Sequence, residues 1–139
     1  MVDKKELQRK YLQLQILRQQ MTAMLEEKAV VEERINELSS TIDSLKKLHS
    51  IKTSEEMWSS LGSGSFVRAE IKDTEKVVIG IGAGIFAKKS AGDAAETLEG
   101  RLKELNTVND EIMAELNKIN IQLLALEPEV EKLAGQQSA

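Results

Sequence analysis

The sequence predicts a mainly α-helical protein with a small β insert, in which a long antiparallel two-helix coiled coil is joined by two β-hairpins. Two observations predict this fold class. Apolar residues recur with 3-4 spacing in both outer parts of the 139-residue chain, and the middle changes to an alternating, glycine-rich pattern. We divide the single domain into an N-terminal coiled-coil helix over 1–53, a β-hairpin oligomerisation segment over 54–89 and a C-terminal coiled-coil helix over 90–139.

The first helix has a heptad repeat that begins at Leu7, with apolar residues at ten of its twelve a and d positions. Asp3 and Glu6 have the spacing of a capping box. Because neither glycine nor proline occurs before Gly62, we expect the helix to continue to the Ser- and Thr-rich stretch 50–54. The a positions are Leu7, Leu14, Met21, Lys28, Ile35 and Ile42, and the d positions are Lys10, Leu17, Met24, Val31, Leu38 and Leu45.

The second helix has a heptad repeat that begins at Ala95, with apolar residues at eleven of its twelve a and d positions. Its N-cap is either Ser90 or Asp93, and we expect it to end near Leu133 with Gly135 as the stop. The a positions are Ala95, Leu102, Asn109, Leu116, Leu123 and Val130, and the d positions are Leu98, Leu105, Ile112, Ile119, Leu126 and Leu133.

The charges of the two helices favour their pairing within one chain. Residues 1–53 carry ten basic and eight acidic side chains, a balance of +2, whereas residues 93–139 carry four and ten, a balance of −6. Each surface ion pair contributes little to stability. The charge difference therefore mainly favours one helix as the partner of the other and affects how the two are oriented. The alternative, in which each helix dimerises with another chain, stays open at this point.

Two polar residues interrupt the a positions in the middle of the helices. If residues whose numbers sum to about 141 face each other, Lys28 and Asn109 fall in neighbouring layers. A polar layer of this kind can fix the register of a coiled coil at a cost in stability. Alternatively, Lys28 extends its ammonium group outward to water.

The middle segment predicts four short strands, which form two hairpins. The glycine turns lie at 62–64 and 82–84, and 73–75 is a turn between the hairpins. Four short strands with no covering layer are marginally stable, and an open edge along Val77–Ile81 invites aggregation. We therefore expect these strands to pair with the same segment of other subunits in an oligomer. The predicted strands are Trp58–Leu61, Val67–Lys72, Val77–Ile81 and Ile85–Lys88.

Composition argues against an enzyme, a cofactor and a metal site. Aromatic residues make up 3% of the chain, cysteine is absent and His49 is the only histidine. The segment 82–87 matches the dinucleotide pattern G-x-G-x-x-G/A, but no strand follows the next helix, so a hairpin turn explains these glycines better. We therefore expect a protein without catalytic, cofactor-binding or metal-binding residues.

Charge and hydropathy also limit the partners and the location. The net charge of −4 gives no general basic surface for nucleic acid. No apolar run approaches the roughly 20 residues of a membrane span, and the first residues do not resemble a signal peptide. We expect a soluble, cytoplasmic protein with no nucleic-acid or membrane partner.

Several large apolar residues fall outside the predicted seam near the free ends of the helices. A two-helix seam does not cover them all, and clustered exposed apolar residues usually mark an interaction surface. The alternative is that they pack on a neighbouring helical hairpin or are exposed singly. They are Tyr11 at e, Leu12 at f, Ile16 at c, Ile121 at f and Leu124 at b.

The central motif, taken together with both coiled coils, resembles prefoldin, and specifically its archaeal alpha class. The resemblance covers nearly the whole chain and is most specific in the segments 62–71, 73–74 and 77–84. Two hairpins favour the alpha class, because the beta class has one. Ser60 is a departure, since many relatives have proline before the first glycine turn.

The resemblance implies an ATP-independent chaperone, or holdase, built as a hexamer of two alpha-class and four beta-class subunits around an intersubunit β-barrel. Its coiled-coil tips would capture unfolded proteins and transfer them to a group II chaperonin. The alternative function is a structural coiled-coil or filament-forming protein without clients. The implied client-binding residues are Tyr11, Leu12, Ile16, Ile121, Leu124, Val130 and Leu133, and the implied subunit-assembly residues are Phe66, Val67, Ala69, Ile71, Val77, Ile79 and Ile81.

Overall fold

The computed structural model contains two long helices with two β-hairpins between them in the sequence, which confirms the predicted fold class. It describes residues 4–53 and 55–138, with side chains as far as Gln136. The chain divides into two compact units, residues 1–34 with 105–139 and residues 35–104. The elements are α1 (Lys4–Lys47), a 3-10 turn (Leu48–Ser50), β1 (Glu56–Gly62), β2 (Ser65–Glu70), β3 (Lys76–Gly82), β4 (Ile85–Ser90) and α2 (Ala91–Ser138).

The first unit is an antiparallel pair formed by the N-terminal part of α1 and the C-terminal part of α2. Lys10 Nζ lies 3.0 Å from the Glu129 carboxylate, and Arg18 Nη2 lies 3.4 Å from the Glu127 carboxylate. Both ion pairs join the N-terminal part of α1 to the C-terminal part of α2. Pairing within one chain is therefore the observed arrangement. The buried core of the unit consists of Leu14, Leu17, Ile119, Leu123, Leu126 and Val130, with Leu7, Met21 and Met24 packed against it.

The heptad registers predicted for the two helices are both confirmed. Every a and d position in the two repeats is buried or half-buried, including the polar positions Lys10, Lys28 and Asn109. Burial of an apolar stripe at this spacing is what drives two amphipathic helices together, because isolated helices gain little from propensity alone.

The two polar residues at a positions differ in their hydrogen bonding. The Lys28 ammonium group donates to the Glu32 carboxylate one turn along the same helix, so it reaches outward as a long side chain can. Asn109 Oδ1 is buried and accepts no hydrogen bond from the part of the chain that the structure describes. A buried acceptor without a donor is destabilising, so Asn109 is a weak point of the seam.

The helix ends differ in part from their predicted positions. The backbone N–H of Asp93 donates to Ser90 Oγ at 3.1 Å, so Ser90 is the N-cap of α2. The predicted stop at Gly135 is wrong, because α2 continues to Ser138 and Gly135 does not adopt a positive φ. Glycine ends a helix only where it takes the left-handed conformation. The capping residue predicted for α1, Asp3, lies outside the described residues.

The β segment consists of two separate antiparallel pairs, β1 with β2 and β3 with β4. Each pair has a register shift beside its glycine turn. The glycines at 62, 64, 82 and 84 all have positive φ, and so do Ser63 and Ala83 between them. This left-handed backbone explains the G-x-G pattern, and it confirms that the glycines at 82–84 form a hairpin turn.

The two hairpins are copies of one module, offset by 20 residues. Glu56 pairs with Glu70 as Lys76 pairs with Ser90, and Ser60 pairs with Phe66 as Gly80 pairs with Phe86. Three consecutive left-handed residues form both turns, with φ of 95°, 52° and 76° in the first and 114°, 51° and 73° in the second. We call the first copy hairpin 1 (residues 56–70) and the second hairpin 2 (residues 76–90). This repeat is a finding of the structure.

Candidate binding surfaces on the helices and the hairpins

The first unit has a set of large apolar side chains on its outside, near the start of α1 and towards the end of α2. Each is between 45% and 64% exposed, although the seam beside them is closed. We call this set the outer apolar surface. Its members are Tyr11, Leu12, Ile16, Ile121 and Leu124.

The outer apolar surface extends around the helix pair. In the sequence, Leu14 lies between Leu12 and Ile16, and Leu17 follows Ile16 directly; both leucines are buried against α2. The five residues of the outer apolar surface occupy positions e, f and c on α1 and positions f and b on α2. These positions point in several directions away from the seam. The five side chains therefore offer separate small contacts on different faces, an arrangement suited to an irregular partner.

Two of the seven predicted client-binding residues lie elsewhere. Val130 is 7% exposed and belongs to the core of the first unit, and Leu133 is half-buried. Both occupy seam positions, a and d respectively, so the heptad pattern already accounts for them. They are therefore not part of the outer apolar surface.

The first unit also exposes apolar residues that were not among the predicted binding residues. They lie outside the seam at positions e, c, g and e, which is the signal that could have identified them. We call them the middle apolar residues. They are Leu25, Val30, Val108 and Met113.

The seven predicted assembly residues all lie in or beside the hairpins, and none is fully buried. Phe66, Val67 and Ile81 are exposed. The other four, Ala69, Ile71, Val77 and Ile79, are half-buried. A two-stranded sheet that exposes large apolar side chains is marginally stable until further strands or a helix cover it.

The hairpins expose more apolar area than the sequence analysis identified. The additional residues include two aromatic side chains, Trp58 at 65% and Phe86 at 70% exposure. Arg68 lies 5.8 Å above the Trp58 ring, and the Phe86 ring lies over Gly80 on the facing strand. The 20-residue repeat could have revealed Phe86, since it corresponds to Phe66. The full additional set is Met57, Trp58, Leu61, Val78, Ile85 and Phe86.

The titratable groups with shifted pKa values take part in ion pairs or in a turn, and so have structural roles. The Glu129 carboxylate raises the pKa of Lys10 in the first unit, and Glu99 raises that of Lys46 in the second. Backbone N–H groups of Glu75 and Lys76 lower the pKa of Asp73, whose carboxylate organises the turn between the hairpins. No group of three or more His, Asp or Glu side chains within the described ranges is arranged to hold a metal ion.

Neither helix, over its described residues, has a segment long and apolar enough to cross a membrane. The described surface thus combines a closed helical seam, exposed apolar side chains on the helices and two open hairpins. This combination defines the class of a coiled-coil protein with exposed apolar side chains and open β-hairpins.

Comparison with known proteins identifies the family. The family model described as "Prefoldin subunit" matches residues 17–136, which is most of the chain. The chain therefore belongs to the prefoldin family, a family of chaperones.

Several archaeal proteins named prefoldin subunit alpha match most of the chain. One, from Methanococcus vannielii, is 30% identical over 130 residues, which cover 94% of this chain and 87% of that protein. Another, from Methanococcus aeolicus, is 33% identical over 135 residues, covering 94% and 92%. A solved structure of filamentous PFD from Methanocaldococcus jannaschii has a TM-score of 0.71 at 20% identity and covers 84% of this chain and 96% of that one. That likeness supports the fold.

Proposed function

We propose that this chain is the alpha-class subunit of an ATP-independent holdase that captures unfolded proteins with its outer apolar surface. The observation that carries the proposal is that five large apolar side chains are exposed in a unit whose core is complete without them. Leu12 and Ile16 are four residues apart on α1, and Ile121 and Leu124 are three apart on α2, so each helix has a small exposed apolar pair. Adjacent exposed apolar side chains of this kind often mark a binding surface. The relatives named prefoldin subunit alpha support the assignment.

The mechanism is burial of apolar area rather than a chemical step. Each contact with an unfolded segment gains about 25 cal/mol for every Å² of apolar surface removed from water. A few contacts on one subunit hold a client weakly, whereas several subunits on one assembly hold it with useful avidity. Weak individual contacts also permit release, which transfer to a group II chaperonin requires.

The hairpins supply the assembly in this proposal. Each is a two-stranded sheet with two open edges, and such sheets become stable when further strands pair with them. The function needs a hexamer of two copies of this chain and four beta-class subunits, with an intersubunit β-barrel formed from their hairpins. We place this complex in the cytoplasm, where unfolded chains and the chaperonin meet.

The proposal is tested by light scattering from a denatured model client diluted into ATP-free buffer in the presence of the assembled complex. One complex contains the unmodified chain, and the other contains Leu12→Ser, Ile16→Ser, Ile121→Ser and Leu124→Ser together. A matched control carries serine at the four middle apolar residues, Leu25, Val30, Val108 and Met113. The mass of each complex is measured first.

We expect the unmodified complex and the control to suppress aggregation, and the outer-surface variant to lose suppression at unchanged mass. Failure of the unmodified complex to suppress aggregation would favour a structural coiled-coil assembly without clients. Equal loss in the control and in the outer-surface variant would contradict the proposal, because it would mean that both sets of exposed apolar residues are needed and that the outer apolar surface has no special role.

A further inference from the structure

We propose that the two hairpins are unequal docking sites for partner hairpins, and that hairpin 2 is filled before hairpin 1. The inference rests on the proposed hexameric function, because it assigns an order to that assembly. It comes from a contrast between two copies of one module, which share their register and turn but differ in how they are held.

Hairpin 2 is fixed to the start of α2 by three hydrogen bonds. Arg101 Nη2 donates to the carbonyl oxygen of Gly80 at 2.6 Å, and Lys89 Nζ donates to Thr97 Oγ1 at 3.2 Å. The backbone N–H of Ala91 donates to the Glu75 carbonyl at 2.9 Å, at the base of the hairpin. These bonds join β3, the residue before it and β4 to the start of α2, and so hold the hairpin against the helix.

One face of hairpin 2 is covered and the other is left open. On the face from which Lys89 reaches α2, the half-buried residues alternate along the strands; they are Val77, Ile79, Ala87 and Lys89. Gly80 and Ser90 are half-buried as well. The opposite face exposes Val78 and Phe86, with the Phe86 ring resting on Gly80. Hairpin 2 therefore presents a fixed, open apolar face.

Hairpin 1 has the same two faces without the same support. Its counterparts of Val77, Ile79 and Ala87 are Met57, Ser59 and Val67, and all three are exposed. Ala69, the counterpart of Lys89, is half-buried. The polar side-chain contacts of its described residues stay within the hairpin, from Arg68 to Glu56 and from Ser60 and Ser65 to Gly62. At the position equivalent to Gly80 it has Ser60, facing Phe66.

The difference in support sets the order of filling. A partner that docks on a mobile element must also meet the entropy cost of ordering it, whereas a restricted element has already lost that freedom. Hairpin 2 therefore binds a partner hairpin more tightly, and hairpin 1 becomes ordered when its own partner arrives.

The occupant of both sites is a hairpin of a beta-class subunit. An open-edged, two-stranded sheet with an apolar face is completed by further strands. Because both copies share the same turn and the same exposed phenylalanine, they accept the same kind of partner. Their charges differ, since hairpin 1 has two glutamates and one arginine, a balance of −1, and hairpin 2 has three lysines and no acidic residue, a balance of +3.

Amide hydrogen exchange of the isolated chain tests the structural premise. We expect the amides of β3 and β4 to exchange at least about tenfold more slowly than those of β1 and β2, because local opening governs exchange. Arg101→Ala should bring hairpin 2 close to the rate of hairpin 1. Arg34→Ala, which removes an exposed arginine of α1, is the control and should change neither rate.

Titration with beta-class subunits, followed by native mass spectrometry, tests the order itself. Phe66→Ser should leave uptake of the first partner unchanged and prevent uptake of the second. Phe86→Ser at the equivalent position should weaken uptake of the first partner about tenfold, which corresponds to about 1.4 kcal/mol. Far-UV circular dichroism checks that both variants keep the helices, and Arg101→Ala should reproduce the Phe86→Ser effect in milder form.

Equal exchange rates in the two hairpins, or equal weakening of the first uptake by Phe66→Ser and Phe86→Ser, would overturn the inference and leave the proposed holdase intact. An unmodified chain that takes up no beta-class subunit would overturn the proposed assembly and the order of filling with it.

Discussion

The two compact units expose apolar side chains for different reasons. In the first unit, the seam between α1 and α2 buries its own core, and the exposed residues lie outside it. In the second unit, the exposed residues lie on the hairpins themselves, which have two strands each and large uncovered faces. The first unit is complete without its exposed residues, whereas the hairpins are incomplete without further strands.

The two regions therefore have two kinds of apolar surface, although the exposed fractions of their side chains are similar. Exposure on a completed element is available for transient contacts, and its removal leaves the fold unchanged. Apolar side chains exposed on an incomplete sheet become permanently buried when further strands pair with that sheet. Substitutions in the two regions should therefore affect different measurements.

The largest effect should come from removing the aromatic side chains of both hairpins. Phe66→Ser with Phe86→Ser should raise the dissociation constant for partner subunits at least about 100-fold, because buried aromatic residues contribute roughly 2 kcal/mol or more at interface centres. Assembly mass measured across a dilution series reports this loss. Leu25→Ser with Met113→Ser is the matched control, and a similar loss there would remove the distinction between the regions.

The next effect should come from the seam of the first unit. Ile119 is 3% exposed and Ile121 is 59% exposed on the same helix, so they form a matched pair. Ile119→Ala should lower the free energy of unfolding by about 2–4 kcal/mol through lost burial and a cavity. Ile121→Ala should change it by less than about 0.5 kcal/mol. Similar melting temperatures for the two variants would contradict the assigned register.

A smaller effect of opposite sign should come from the polar seam positions. Asn109→Leu replaces a buried acceptor that has no donor among the described residues, and should stabilise the helix pair by about 1 kcal/mol. The double variant with Lys28→Leu should raise the melting temperature further if the polar layer fixes register at a cost. A lower melting temperature of the double variant would count against that role.

The smallest effect should come from the turn between the hairpins. The backbone N–H groups of Glu75 and Lys76 hold the pKa of Asp73 below its usual range. Because the folded pKa is depressed, the stabilisation is present above the ordinary Asp pKa of about 3.9 and is lost as pH falls through the lower folded value. An NMR titration of the Asp73 carboxyl carbon should give this depressed pKa, and an ordinary value would show that the turn does not depend on it.

The sequence predicted the parts of the fold that depend on periodicity. Both heptad registers and both glycine turns were correct, because burial at 3-4 spacing and left-handed backbone each leave a local signature. The stop at Gly135 was wrong, since a glycine near a helix end does not itself adopt the left-handed conformation. The support of hairpin 2 by Arg101 could not be foreseen, because it joins residues 21 positions apart through one carbonyl oxygen.

The candidate surfaces were predicted less evenly. Leu12, Ile16, Ile121 and Leu124 fell outside the heptad seam and are exposed, so pattern alone identified them. Trp58 and Phe86 were not identified, because alternation marks only one face of a strand as apolar and these hairpins have apolar residues on both faces. Whether the identified residues bind clients remains a prediction.

Site-specific photocrosslinking tests the separation of the two surfaces most directly. A photoreactive residue is placed at Leu124 or at Phe86, with Met113 as a control, and the assembled complex is illuminated with an unfolded client bound. We expect Leu124 to crosslink the client and Phe86 to crosslink other subunits. Client adducts at Phe86 as abundant as those at Leu124 would contradict the assignment of one surface to clients and the other to assembly.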